Sequence, residues 1–273
     1  MSDEPQKKPS LHLVSAVEKE HSLLPDELLE SLESYEEKFD YLRTMVRGLI
    51  QRDTVNAIII SGPPGIGKTF TIDGILDEQS RNFERPITYN KKSGKITPLA
   101  FYDFLVANAG KNCISFFDDA DSILTEPTSL ALLKQASELR KQRIISYEST
   151  KLDITQVPYN GKLVIATNVQ YSSNPHYEAI IDRFHCYDMR VSYQEKLAKL
   201  FDIVEKDTED QEVSKEVLLF LLKKQKEIEP SKLTLRTFAK LKELAQLMPR
   251  SGPRNWQRFV EISGTYMKFL GKD

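Results

Sequence analysis

Apolar residues in this chain follow two different spacings, and the places where one gives way to the other mark out its elements. From Pro25 to Gln51, Leu28, Leu32, Tyr35, Phe39, Leu42, Met45, Val46, Leu49 and Ile50 fall on one broad stripe at helical spacing, and Pro25 and Asp26 suit its start. Val55-Asn56-Ala57-Ile58-Ile59-Ile60-Ser61 is a short apolar, β-branched run, as expected of a buried parallel strand. A helix follows from Thr69 to about Gln79, then a short strand over 86–90, a basic turn over 91–95, and a helix opened by Thr97-Pro98 and running through Ala107. A third strand covers 113–117, a helix 128–141, a fourth strand 162–167, a helix 175–184 and a fifth strand 186–191. The stretches 143–149 and 151–157 also alternate like strands. A long connection with a short edge strand is the favoured reading of them; a hairpin with Lys151 near its tip is the other. After Val191 only helical spacing remains, over 193–206, 213–226, 234–248 and 254–270.

Strands that alternate with helices imply an α/β domain of three αβα layers around a five-stranded parallel sheet, followed by a small all-α domain. The expected division is a flexible tail over 1–24, the sheet domain over 25–191 and the helical domain over 192–273. The tail is polar and shows little periodicity. With 273 residues, 40% of them hydrophobic and 29% charged, the composition is that of an ordinary globular protein. A net charge of −2 excludes a globally basic nucleic-acid binder but leaves room for a local basic patch. No apolar run is long enough to cross a bilayer, Met1–Ser10 is nearly all polar, and the cysteines, Cys113 and Cys186, are too few for a disulfide framework. A cytoplasmic location is expected, with no membrane partner.

The candidate chemistry lies at the ends of the strands. Gly62-Pro63-Pro64-Gly65-Ile66-Gly67-Lys68-Thr69 is a complete phosphate-binding loop, placed between a strand and a helix as such a loop requires. Its glycines let backbone N–H groups curl round an anion, and the helix N-terminus adds partial positive charge. Lys68 is expected to reach the β- and γ-phosphates of ATP, and Thr69 to offer its hydroxyl to Mg²⁺. These eight residues and Phe70 form the expected nucleotide-binding set.

The third strand ends in Asp118-Asp119. Asp118 can hold Mg²⁺ through water, and Asp119 can polarise an attacking water as general base. The alternative is a solvated acidic turn of Asp118, Asp119 and Asp121. Asn168, at the end of the fourth strand, can bond the γ-phosphate or orient the water, although asparagine is also a common turn residue. Arg183 precedes the fifth strand, where an exposed arginine can reach the phosphates of a neighbouring subunit or form a surface salt bridge.

The loop at Gly62–Thr69, FFDDADSI at 116–123, LVIATN at 163–168 and AIIDRF at 179–184 together resemble the AAA+ ATPases, the ring-forming P-loop machines. The resemblance covers about residues 30 to 250. It implies a homo-oligomer, expected to be a hexameric ring, that hydrolyses Mg·ATP at its subunit interfaces. By it Asp118 and Asp119 occupy the Walker B positions, Asn168 is sensor 1, Arg183 is the arginine finger, and the helical domain is the lid. Sensor 2 falls on Arg236 in LTLRTF, with Arg254 in SGPRNW as a second candidate. The chain departs from the family's usual glutamate at the catalytic position, where it has Asp119, one methylene shorter.

Lys91, Lys92 and Lys95 surround Gly94 after the second strand and suit phosphates better than unfolded polypeptide, an ordinary solvated turn being the alternative. The whole is most similar to small AAA+ proteins of bacteriophages, which implies DNA as the macromolecule handled and a host's cytoplasm as the place. Two functions are carried forward: a ring ATPase that remodels or translocates on nucleic acid, and an ATP-dependent binding switch or protein remodeller with slow hydrolysis.

Overall fold

The computed structural model describes residues 24–139, 142–149, 155–169 and 178–271. Residues 1–23 of the expected tail, Lys151 and the first turn of the helix expected from 175 lie outside them. The chain divides into two compact units, one of Lys38–Pro63 and Gly67–Arg190, the other of residues up to Glu37, Pro64–Ile66 and from Val191 on. Helix α1 (Leu29–Gln51) runs through the division. Its stripe of Tyr35, Phe39, Leu42, Val46 and Leu49 is buried.

In the sheet unit the elements run β1 (Ala57–Ser61), α2 (Lys68–Ser80), β2 (Thr88–Ser93), α3 (Pro98–Ala107), β3 (Cys113–Asp118), α4 (Ser122–Thr125), α5 (Pro127–Ala136), β4 (Arg143–Ser146), β5 (Gln156–Tyr159), β6 (Lys162–Thr167), α6 (Glu178–Ile181) and β7 (His185–Asp188). Five strands pair in the order β2-β3-β6-β1-β7, all parallel. The continuous apolar runs are the inner strands: every residue of β1 and β6 is buried, whereas the edge strands β2 and β7 are partly exposed. Phe117 packs edge-on against Phe101 and Phe104, with centroids 5.2 and 5.3 Å away. Lys162 is buried and donates to the carbonyls of Leu49, Ile50 and Arg52, closing the C-terminal end of α1.

Two expectations are corrected here. β2 continues through Ser93, so Lys91 and Lys92 are strand residues and not part of a turn. The stretches before β6 pair antiparallel as the hairpin β4–β5, in place of a long connection with a lone edge strand. The root of this hairpin is fixed by Arg143, whose guanidinium donates to Ala136 O at 2.5 Å and Gly161 O at 2.9 Å and lies over the Tyr159 ring. A Cβ on Gly161 would sit 2.2 Å from Asn108 O, so the link from β5 to β6 leaves no room for any side chain there.

The helical unit contains α7 (Tyr193–Lys206), α8 (Gln211–Lys223), α9 (Leu235–Leu247), α10 (Trp256–Ile262) and α11 (Gly264–Phe269). A capping box between Ser192 and Glu195 starts α7. Leu197, Phe201, Val217, Leu221, Leu241 and Trp256 form its core. The helix expected over 254–270 is broken at Ser263, whose extended backbone ends α10. Among the described residues no helix is long and apolar enough to cross a membrane.

Candidate functional site

In a parallel sheet all carboxyl ends lie along one edge, so the loops after β1, β3 and β6 converge. β6 lies between β3 and β1, with Ala166 beside Asp118 and Thr167 beside Ser61. The loop after β1 turns under tight constraint. At Gly62, with φ 154°, a Cβ would meet Met189 O at 2.6 Å, and Gly67 caps α2 at φ 101°, a left-handed conformation that favours glycine.

Lys68 opens α2 with a buried side chain. Its ammonium donates to Gly62 O at 2.8 Å, Pro63 O at 2.9 Å and Asn168 Oδ1 at 3.1 Å. The Thr69 hydroxyl donates to Asp118 Oδ1 at 2.7 Å. Asn168 in turn donates its amide to Asp119 Oδ1 at 2.7 Å. Lys68, Thr69, Asp118, Asp119 and Asn168 therefore form one polar cluster drawn from three strand ends. Asp121 accepts from the Thr167 hydroxyl at 2.5 Å. Each of the three carboxylates thus accepts a hydrogen bond from a side chain of α2 or of the end of β6, and Asp119 is exposed.

Asp119 has φ 51° while its N–H donates to Ala166 O at 3.0 Å. Aspartate and asparagine tolerate this region better than longer side chains because their short polar groups can bond locally. Asp119 is thus a residue type that this backbone conformation accommodates.

Of the three lysines read as suited to phosphates, one is engaged by carboxylates and two are exposed. Lys91 lies on β2 with its ammonium 2.7 Å from Asp73 Oδ2 and 3.0 Å from Asp118 Oδ2, and 4.9 Å from the centre of the Phe116 ring. Burial disfavours its charge, but the hydrogen bonds to Asp73 and Asp118 outweigh this and hold its pKa above that of an ordinary lysine. Lys92 is exposed and lies over the Phe104 ring, and Lys95 is exposed beside the Gly94 turn.

Arg183 Nε lies 4.0 Å from Glu138 Oε2, a pair separate from the cluster above. Phe70 is 86% exposed, an open aromatic face next to Thr69. In the helical unit, which includes Pro64–Ile66, Gly65 O accepts from Leu235 N at 3.0 Å, and Ile66 O accepts from the Tyr35 hydroxyl at 2.6 Å. Leu235 is the first residue of α9, which brings the exposed Arg236 beside the tip of the loop. Among the described residues no such contact distinguishes Arg254, also exposed.

The residues fit the group their motif implies. The constrained glycines leave a cradle of backbone around the Lys68 ammonium, and Thr69 with Asp118 presents hard oxygen donors. Among the described residues no group of three or more His, Cys, Asp or Glu is placed to cage a metal. A cation held by Thr69 and Asp118 would need further oxygen ligands from outside these residues, a requirement that suits Mg²⁺.

Sequence spacing alone did not expose Asp73. It follows Thr69 by one helical turn, on the face of α2 that Lys91 reaches. The strict alternation of Tyr89 and Lys91 was the available signal, since Tyr89 donates to Asp77 and Lys91 pairs with Asp73.

Residues 58–188 match the family described as "ATPase family associated with various cellular activities (AAA)". An uncharacterized 36.7 kDa protein from the nrdC-mobD intergenic region of Enterobacteria phage T4 is 29% identical over 189 residues, covering 62% of this chain and 57% of that protein. An uncharacterized AAA domain-containing protein of Schizosaccharomyces pombe is 30% identical over 114 residues, 41% of this chain and 14% of that protein. The match thus spans little more than half of the phage relative and a small part of the yeast one. The structure of a Thermotoga maritima RuvB mutant shares the fold at 16% identity and a TM-score of 0.50, over 80% of this chain and 63% of that one.

Proposed function

We propose, from the match of residues 58–188 to the AAA family and from the similarity to a phage protein, that this chain is an AAA+ ATPase that binds and hydrolyses Mg·ATP between copies of itself in a ring, to remodel or move along a macromolecule. The observation that carries this reading is the Asn168 side chain, which bridges Lys68 and Asp119. One amide then links the group that would hold the phosphates to the group that would take the proton.

In this reading Lys68 and the backbone of Gly62–Thr69, with Phe70 alongside, bind ATP. Thr69 and Asp118 hold Mg²⁺, which when bound neutralises charge on the phosphates. Asp119 accepts a proton from the attacking water, Asn168 fixes that water's orientation, and Arg183 of one copy serves the site of the next. Arg236 acts as sensor 2, supported over Arg254 by its place beside Gly65. DNA is the proposed macromolecule. With Lys91 committed to two carboxylates, Lys92 and Lys95 are the lysines of that stretch left to meet its phosphates.

The shorter Asp119 favours a second reading, a nucleotide-gated switch that assembles with ATP and turns over slowly. A misplacement of about 1 Å in such a group can cost on the order of 10²-fold in rate. Steady-state ATP turnover, measured with and without single-stranded DNA, duplex DNA, RNA and an unfolded protein, separates the two. Stimulation by DNA supports the first reading, and slow turnover indifferent to every polymer supports the second. Mass measurement with a slowly hydrolysed ATP analogue tests the ring, and a monomer under all conditions rejects it.

A further inference from the structure

Lys91 reaches carboxylates of two different elements, Asp73 on α2 at 2.7 Å and Asp118 at the end of β3 at 3.0 Å. The side chains of all three are at most one-third exposed, so bulk water screens the pair poorly. The Lys91 ammonium also lies 4.9 Å from the centre of the Phe116 ring, a residue paired in register with Lys91. Tyr89, two residues earlier on the same face of β2, donates to Asp77, so the strand is matched to an acidic face of α2 at two consecutive inward positions. Asp118 has both oxygens engaged, Oδ1 by Thr69 and Oδ2 by Lys91. Without the lysine charge, Asp73, Asp118 and the Thr69 hydroxyl would present a set of hard oxygens with uncompensated negative charge, a combination that attracts a divalent ion.

We infer that Lys91 is the built-in cation of the Asp73–Asp118 pair, and that it keeps these carboxylates from taking up a divalent metal until a nucleotide brings one in. The inference rests on the nucleotide-binding reading above. Lys91 thereby acts as a positioning residue: it holds Asp118 turned toward Thr69 and makes metal binding conditional on nucleotide.

The test is Mn²⁺ binding to the full chain without nucleotide, followed by the electron paramagnetic resonance signal of the free ion. Lys91→Met is expected to raise nucleotide-free Mn²⁺ affinity about tenfold over wild type. Lys91→Arg should behave as wild type, and adding Asp73→Asn to Lys91→Met should abolish the gain. Unchanged Mn²⁺ affinity in Lys91→Met overturns the inference, as does a gain that persists when Asp73 is replaced. Should Lys91→Met not fold, wild type alone decides, because tight Mn²⁺ uptake without nucleotide contradicts a resident ammonium. Binding of a fluorescent ATP analogue to wild type runs in parallel. Its absence removes the nucleotide reading, whereas nucleotide binding with metal uptake indifferent to Lys91 removes this inference alone.

Discussion

The Thr69 hydroxyl donates to Asp118 Oδ1 at 2.7 Å, joining the first turn of the helix after the glycine loop to the tip of the neighbouring strand. Thr69→Val keeps the shape of the side chain and deletes the donor. It should leave the far-ultraviolet circular dichroism spectrum unchanged and weaken binding of a fluorescent ATP analogue about tenfold in the presence of Mg²⁺. In EDTA the two proteins should bind alike, and a loss of equal size there would show that Thr69 does not act through the metal.

Asp119→Asn tests the chemistry without disturbing the backbone. At φ 51° asparagine is tolerated as well as aspartate, so the turn after β3 should survive. Nucleotide affinity should stay within about threefold of wild type, while turnover falls on the order of 10²-fold or more, the contribution of a general base. Wild-type rates in the variant would take the proton-accepting role away from Asp119.

Arg183→Ala should bind nucleotide normally and lose about 10³-fold in turnover if its guanidinium serves a neighbouring site. Lys68→Ala, which lacks the ammonium that bonds Gly62, Pro63 and Asn168, should not bind nucleotide at all. Mixing the two inactive proteins should restore part of the activity, because sites with an intact loop then face an intact arginine. No recovery over a range of mixing ratios would assign Arg183 to the structural pair with Glu138.

The helical unit carries a pH-sensitive contact at Asp207. Its carboxyl is held well below the usual carboxylate range, first by the hydrogen bond from Lys242, then by that from Ser214. A depressed carboxyl contributes stability that is complete above its unfolded value, near pH 4, and is lost as pH falls below it. At pH 7 Asp207→Asn should therefore melt about 2–4 °C lower than wild type, and the gap should narrow steadily between about pH 4 and pH 2. Trp256, the chain's single tryptophan, is buried against Phe220 in this unit and reports its melting by fluorescence. A gap constant down to pH 2 would mean that Asp207 contributes no linked charge.

The elements most legible in the sequence were those whose own residues enforce them. Ile58–Ile60 and Leu163–Ile165 have no polar face to show to water, so they could only be inner strands. The glycine loop was equally readable because its chemistry is local in sequence. Lys91 was not. A lysine followed by another lysine, with a glycine three residues on, reads as a turn, and only the placement of β2 beside β3 and near α2 turns its ammonium onto Asp73 and Asp118. The hairpin β4–β5 was ambiguous for a related reason: Ile144 and Ile145 alternate as any edge strand does, and the pairing partner of an isolated strand is not written in its own spacing. The order of Lys68, Asn168 and Asp119 along the chain likewise says nothing of the amide that joins them.

Only Asn160 and Gly161 separate β5 from β6, and Asn168 comes directly after the last residue of β6. Both linking residues are tied down, Asn160 N to Ala109 O at 2.8 Å and Gly161 O to Arg143 at 2.9 Å. Such a joint has no slack. The paired strands β4 and β5 are therefore anchored, without an intervening loop, to the strand whose next residue is Asn168, the amide that touches Lys68 and Asp119.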